Sequence, residues 1–160
     1  MADKLIKPHG SDTLNPLYVA DDAKRAALIK EAGTLPSIVV CSQAAANAVM
    51  MGSGYFNPLK GFMGLAEAVK VAEKMETKDG LFWPVPIVNV VPDASSIKGA
   101  KRIALKDPNV DGNPVIAIQD VEAIEEATEA QMKLIAEKVY GTLDEKHPGV
   151  AAWMSVGKTF

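Results

Sequence analysis

Apolar positions along the chain follow two periods, separated by clusters of turn residues. The opening stretch KPHGSDTLNPLYV holds Pro8, Gly10, Asn15 and Pro16, too many breakers for a helix, and reads as an extended arm with turns. From Asp21 or Asp22 as N-cap, AKRAALIKEAG sets Ala26, Leu28 and Ile29 toward one side and stops at Gly33, which predicts a helix. LPSIVVC is a short β-branched run suited to a buried strand, and Ser42 reads as the N-cap of an alanine-rich second helix reaching Met51. In LAEAVKVAEKM, Leu65, Ala68, Val69, Ala72 and Met75 recur at helical spacing with Glu and Lys opposite, a third helix that residues 77–80 end.

After Gly80 the period becomes two. LFWPVPIVNVV is dense in β-branched residues, and Pro84 and Pro86 forbid a helical interior, so the segment reads as a strand at a sheet edge. RIALK and PVIAIQDVEAI flank the turn-rich DPNVDGN, which predicts a β-hairpin turning at Asp111-Gly112. Thr128 with Gln131 three residues later forms a capping-box pattern. It opens a helix with Met132, Ile135, Ala136 and Val139 on one face and Gly141 as its stop. One short helix follows Pro148, and a strand begins near Thr159. Between the second and third helices, GSGYFNPLKGFMG is a loop by its four glycines and proline. Its Tyr55, Phe56, Leu59, Phe62 and Met63 are large enough to anchor it against the core or against a partner.

Composition narrows the class without naming it. In 160 residues, 48% apolar and 23% charged, one domain can bury a sufficient core without staples. The single cysteine, Cys41, closes no internal disulfide and builds no multi-thiolate zinc site; it reads as a buried thiol. A net charge of -3 and a pI near 5.4 make nucleic acid a poor default partner. The apolar stretch at residues 85–91 is far short of the ~20 residues that cross a bilayer, and MADKLIKPHG lacks the apolar core of a signal peptide, so the expectation is a cytoplasmic protein without a membrane span.

Three motif fragments are decoys. Gly157-Lys158-Thr159 copies the end of a phosphate-binding loop, but the glycine required five residues earlier is Ala152 and no helix follows, so it reads as a turn before a strand. Asp107, Asn109, Asp111 and Gly112 copy the first half of a calcium loop, whose closing carboxylate position is Ile118; a hairpin connection is the better reading. Gly52-Ser53-Gly54 lacks the third glycine of a dinucleotide fingerprint and follows a helix, not a strand. His9 and His147 each sit beside proline and glycine, turn positions where a ring packs or bonds backbone. Read from the residues alone, the chain has no active site.

The phrases KPHG, FNPLKGFM, LFWPVPIVN, GAKRIALKDPNVDGNPVIAIQDVE and EKVYGTLDEKHPGV, in this order, resemble the N-terminal domain of ATP sulfurylase (sulfate adenylyltransferase), in particular the bacterial sulfur-oxidiser type. The resemblance runs from about residue 6 to residue 156. It implies an α+β fold, a PUA-like pseudo-barrel of mixed strands with added helices, as a single domain over residues 1–160. The parent enzymes exchange ATP and sulfate for adenosine 5′-phosphosulfate and pyrophosphate, with magnesium on the nucleotide. Their QxRN, HxxH and GRD motifs belong to the catalytic domain, and none occurs here: Gln43, Gln119 and Gln131 lack the following arginine and asparagine, the histidines are 138 positions apart, and neither Arg25 nor Arg102 follows glycine. The resemblance therefore assigns no catalytic, cofactor-binding or metal residue, and it implies a domain inactive alone whose partner is the absent catalytic domain, with homo-oligomeric contacts through the parent. Phe56, Pro58, Leu59, Phe62, Met63 and Trp83 are the candidate interdomain or core-shaping residues, with core favoured for Trp83 and Ile87. Two alternatives stand beside this: an RNA-binding PUA-like module, against which the acidic balance argues, and a small independent enzyme using His9 or His147.

Overall fold

A computed structural model describes residues 5–160 as helix α1 (Asp22–Ala32), strand β1 (Ser37–Val39), helices α2 (Ser42–Gly52) and α3 (Leu65–Lys74), a 3-10 turn (Ser95–Ile97), strands β2 (Arg102–Lys106) and β3 (Val115–Asp120), and helices α4 (Glu129–Tyr140) and α5 (Pro148–Ser155). The strands form one mixed sheet in the order β1-β2-β3, with β1 parallel to β2 (Ile38 opposite Leu105) and β3 antiparallel to it (Ile103 opposite Gln119). The fold is α+β.

Local chemistry explains most of the boundaries. Asp21 Oδ1 accepts from the Lys24 N–H at 2.6 Å to open α1, and Thr128 and Gln131 form the complete capping box of α4. Gly141, left-handed at φ 69°, stops α4. The hairpin turns through Gly112 and Asn113 at φ 81° and 44°. Asp107 Oδ1 accepts from the Asn109 backbone at 2.8 Å, and Asn113 Nδ2 donates to the Asp107 carbonyl at 2.8 Å. Asp107, the first residue of the half calcium loop, is thus committed to closing the β2–β3 connection, and Asn109 Oδ1 is taken by the Ser42 hydroxyl.

Several expectations are corrected. The N-cap of α2 is Cys41, whose sulfur accepts from the Ala44 N–H at 3.4 Å, while the Ser42 hydroxyl donates to Asn109 Oδ1 at 2.7 Å; the thiol is half-buried. Residues 81–91 form no strand: their pairing is limited to two isolated bridges, Glu76 with Phe82 and Val91 with Thr159, and to scattered single backbone bonds. Pro84 and Pro86 lack the N–H groups that a ladder needs. The segment serves instead as a buried strap whose Trp83, Ile87, Val88 and Val90 fill the core and whose Ile87 carbonyl accepts from Met63 N–H at 2.8 Å. In α1, Ala26 is exposed and Ile29 is 67% exposed, with only Ala32 fully buried, because the helix docks by its C-terminal end, where Glu31 pairs with Arg102 of β2. Helix α3 stops at Lys74, with Met75 left-handed at φ 53°, so the stop precedes residues 77–80. β3 ends at Asp120, and Ile124 lies outside the sheet and exposed.

Apolar side chains gather in two cores. One joins α3, α4, the strap and Trp153 of α5; the other packs Val40, Ala44, Ala45, Ile97, Ile103 and Leu105 between the sheet and α2. Each fully buried aliphatic side chain, such as Ile103, Leu105 or Ile135, contributes about 1.5–3 kcal/mol. Phe62 touches both cores and ties them together.

Candidate interaction surface

The loop between α2 and α3 sends its large side chains in two directions. Met63 (4% exposed) is core, beside Trp83 (7%) of the strap, and Phe56, Leu59 and Phe62 pack half-buried against that core, Phe56 meeting Trp83 edge-on at 5.9 Å. Pro58, half-buried after a cis Asn57-Pro58 peptide, lies under Gly10. Tyr55 faces the other way and is 76% exposed.

Between them Asn57 (5% exposed) ties the loop to the N-terminal arm. Its Nδ2 donates to the His9 carbonyl at 2.9 Å and to Ser11 Oγ at 2.8 Å, and its Oδ1 accepts from Asn15 N–H at 3.0 Å. His9 Nε2 bonds the Phe82 carbonyl at 2.8 Å, and its ring lies 6.1 Å from that of Trp83. Gly10 is left-handed at φ 67°, and a Cβ there would come within 2.6 Å of Leu81. KPHG, FNP and LFW, far apart in sequence, are therefore one hydrogen-bonded junction.

Beyond that junction the arm runs over the C-terminal end of α2: Leu17 and Tyr18 N–H groups donate to the Met51 and Gly52 carbonyls at 3.4 and 3.0 Å, and Leu14 and Pro16 lie against Gly54. The arm keeps apolar side chains outward, with Leu14 and Tyr18 more than half exposed and Leu17 nearly so, and Val49 of α2 and Tyr55 of the loop are also more than half exposed. Tyrosines held on a fixed backbone with aliphatic neighbours are the composition of a protein-binding patch. Sequence patterning missed Leu14, Leu17, Tyr18 and Val49, and only the outward turn of Tyr55 separates it from its core-facing neighbours.

Groups able to do chemistry are engaged structurally. His147 Nδ1 accepts from the Gly149 and Val150 N–H groups at 3.2 and 3.4 Å to cap α5, and its ring sits 5.4 Å from that of Tyr140, whose hydroxyl pKa is pushed up by burial. Neither histidine has a carboxylate among its hydrogen-bond partners. In the Gly157-Lys158-Thr159 fragment, Thr159 is bridged on both sides, by Val91 and Glu126, and a Cβ on Gly157 would lie 2.3 Å from the Val91 carbonyl oxygen. Among the described residues no three His, Cys, Asp or Glu side chains converge as a metal site, and no helix is long and apolar enough to cross a membrane.

A mixed sheet strapped by an irregular segment and flanked by helices agrees with what comparison shows: the chain belongs to the PUA-like domain family, matched over residues 6–160. Its relatives are sulfate adenylyltransferases. That of Alcanivorax borkumensis is 61% identical over 153 residues, covering 96% of this chain and 38% of the relative. That of Allochromatium vinosum is 54% identical, covering 97% and 39%, and that of the Riftia pachyptila sulfur-oxidizing endosymbiont is 47% identical, covering 96% and 35%. A solved structure described as a hexameric APS kinase from Thiobacillus denitrificans superposes with a TM-score of 0.64 at 33% identity, over 78% of this chain and 24% of that one. The resemblance read from the five phrases holds, and the chain spans less than two fifths of the length of the relatives named.

Proposed function

We propose that this chain is the N-terminal domain of a cytoplasmic sulfate adenylyltransferase, a structural domain that packs on the catalytic domain of the parent and supplies no reacting group itself. The observation that carries this reading is the match of 96% of the chain to only 38% of a relative named for that activity. The parent takes ATP and sulfate as substrates, and the catalytic domain holds them. The exposed Leu14, Tyr18 and Tyr55 side chains support a packing role, because the Asn57 junction holds the arm and the loop that carry them, and Val49 of α2 is exposed as well. The same patch suits subunit contacts in a homo-oligomeric parent. Co-expression of residues 1–160 with the separately encoded remainder of the parent tests the reading. Co-purification is expected, weakened at least tenfold by Tyr18→Ser with Tyr55→Ser, which removes about 1.4 kcal/mol or more of association; two polypeptides that never associate would refute it.

A further inference from the structure

Outside the main sheet, Thr159 and Phe160 run as the middle strand of a short antiparallel ladder. On one flank, Val91 and Thr159 exchange backbone hydrogen bonds at 2.9 and 3.2 Å. On the other, Glu125 and Phe160 exchange them at 3.0 and 2.8 Å, and the Ala127 N–H donates to the Lys158 carbonyl at 2.8 Å. Bonded positions in an antiparallel ladder recur at every second residue. Counting on from Val91 therefore reaches Asn89, and counting on from Ala127 through Glu125 reaches Ala123.

The backbone N–H and carbonyl groups of Asn89 and Ala123 have no hydrogen-bond partner among the described residues. Neither residue is sealed from solvent, Asn89 being half-buried and Ala123 exposed. Both line one open groove together with Thr159 and Phe160, and its wall of Ile97, Ile103 and Ile124 is apolar. One bonded position further along, the pairing is already used: the Ile87 carbonyl accepts from the Met63 N–H at 2.8 Å, and the Val121 N–H donates to the Lys101 carbonyl at 2.8 Å. Each flank thus offers a single unpaired position beyond Phe160, and the two are staggered by one residue. That stagger suits successive residues of one extended segment, whose backbone groups point alternately to opposite sides.

We propose that the two residues following Phe160 in the parent enter this groove and complete the ladder, the first exchanging backbone hydrogen bonds with Asn89 and the second with Ala123. The domain then passes into the rest of the parent through a strand held on both flanks, not through a loose tether. This rests on the reading of the chain as the N-terminal domain of a longer protein, whose relatives have more than half their length outside the matched region. Amide exchange measured on the 160-residue chain and on the full-length parent tests it. The reference for global opening is the Ala104 N–H, which donates to the Pro36 carbonyl at 2.9 Å. Relative to it, the Asn89 and Ala123 N–H groups are expected to exchange about tenfold or more slowly in the parent than in the 160-residue chain. Equal relative rates at either position would overturn the proposal. Protection of both that rises with the concentration of the 160-residue chain would make a second copy the occupant and overturn it too. Ala123→Pro supplies a second readout, because it removes the donor to the second residue while Asn89 lies on the opposite flank. It should speed Asn89 exchange in the parent and leave it unchanged in the 160-residue chain; the same change in both would overturn the proposal. Sulfate-dependent exchange between pyrophosphate and ATP, assayed on the same parent, keeps the two readings apart, since an inactive parent would refute the sulfate adenylyltransferase assignment and leave the ladder result standing.

Discussion

Replacing Asn57 by alanine should release the N-terminal arm while leaving both cores in place. The side chain makes three hydrogen bonds to the arm, at 2.8, 2.9 and 3.0 Å, from a position 5% exposed. At about 0.5–1.5 kcal/mol net for each bond the loss would be about 1.5–4.5 kcal/mol. Ser11 and Asn15 lie on the exposed arm and regain water when it lifts, so a loss toward the lower end, about 2 kcal/mol, is expected. For a chain of this length that corresponds to a fall in Tm of about 4–8 °C. Limited proteolysis and amide exchange locate the effect: cleavage within residues 8–18 and faster exchange at Asn15, Leu17 and Tyr18 should precede any change at Ile103 or Met132, both of which are buried. Unchanged cleavage of the arm together with a Tm within about 1 °C of the parent value would refute the assignment of Asn57 as the junction.

Three further outcomes follow from single contacts. Lys70 Nζ donates to Glu76 Oε1 at 2.8 Å and holds that carboxyl below its ordinary 4.5. A carboxylate depressed on folding stabilises above its unfolded pKa and ceases to do so as pH falls through its folded one. The stability difference between the native chain and Glu76→Gln should therefore be full near neutral pH and vanish in acid below the folded pKa of Glu76; a gap that widens on acidification would contradict the pairing. Gly157→Ala would put a methyl 2.3 Å from the Val91 carbonyl oxygen at φ 119°, at a cost of about 1–3 kcal/mol from the backbone alone. Thermal melts should show a lower Tm and amide exchange a loss of protection at Val91 and Thr159, whereas an unchanged melt would refute the structural role of that glycine. Structured RNA should cause no salt-dependent mobility shift with this acidic chain; a shift that weakens as salt rises would support the RNA-binding alternative.

The elements whose ends are set by local chemistry were legible in the sequence. Thr128 and Gln131 cap α4, Gly141 stops it, and Asp107 through Asn113 close the hairpin, all through contacts spanning six residues or fewer. The elements that depend on distant partners were less so. Residues 81–91 have a strand's composition, but their bonds go to Met63, Met75 and Thr159, which no local pattern specifies. Ile29 fits an apolar face that in this fold has nothing to cover, because α1 is tethered at its end by Glu31 and Arg102. The same limit applied to the interaction surface. FNPLKGFM announced anchoring side chains, yet which of them point inward is decided by Asn57 reaching across 48 residues to His9. Cys41 in place of Ser42 as the cap of α2 is a shift of one residue, the usual uncertainty where two neighbouring side chains can both accept.

The claim that this is a non-catalytic domain of a larger enzyme is tested most directly by sulfate-dependent exchange between pyrophosphate and ATP. The purified 160-residue chain should give no exchange above a heat-denatured control, and exchange should be seen when the separately expressed remainder of the parent is present with it. Sulfate-dependent exchange by residues 1–160 alone would contradict the account.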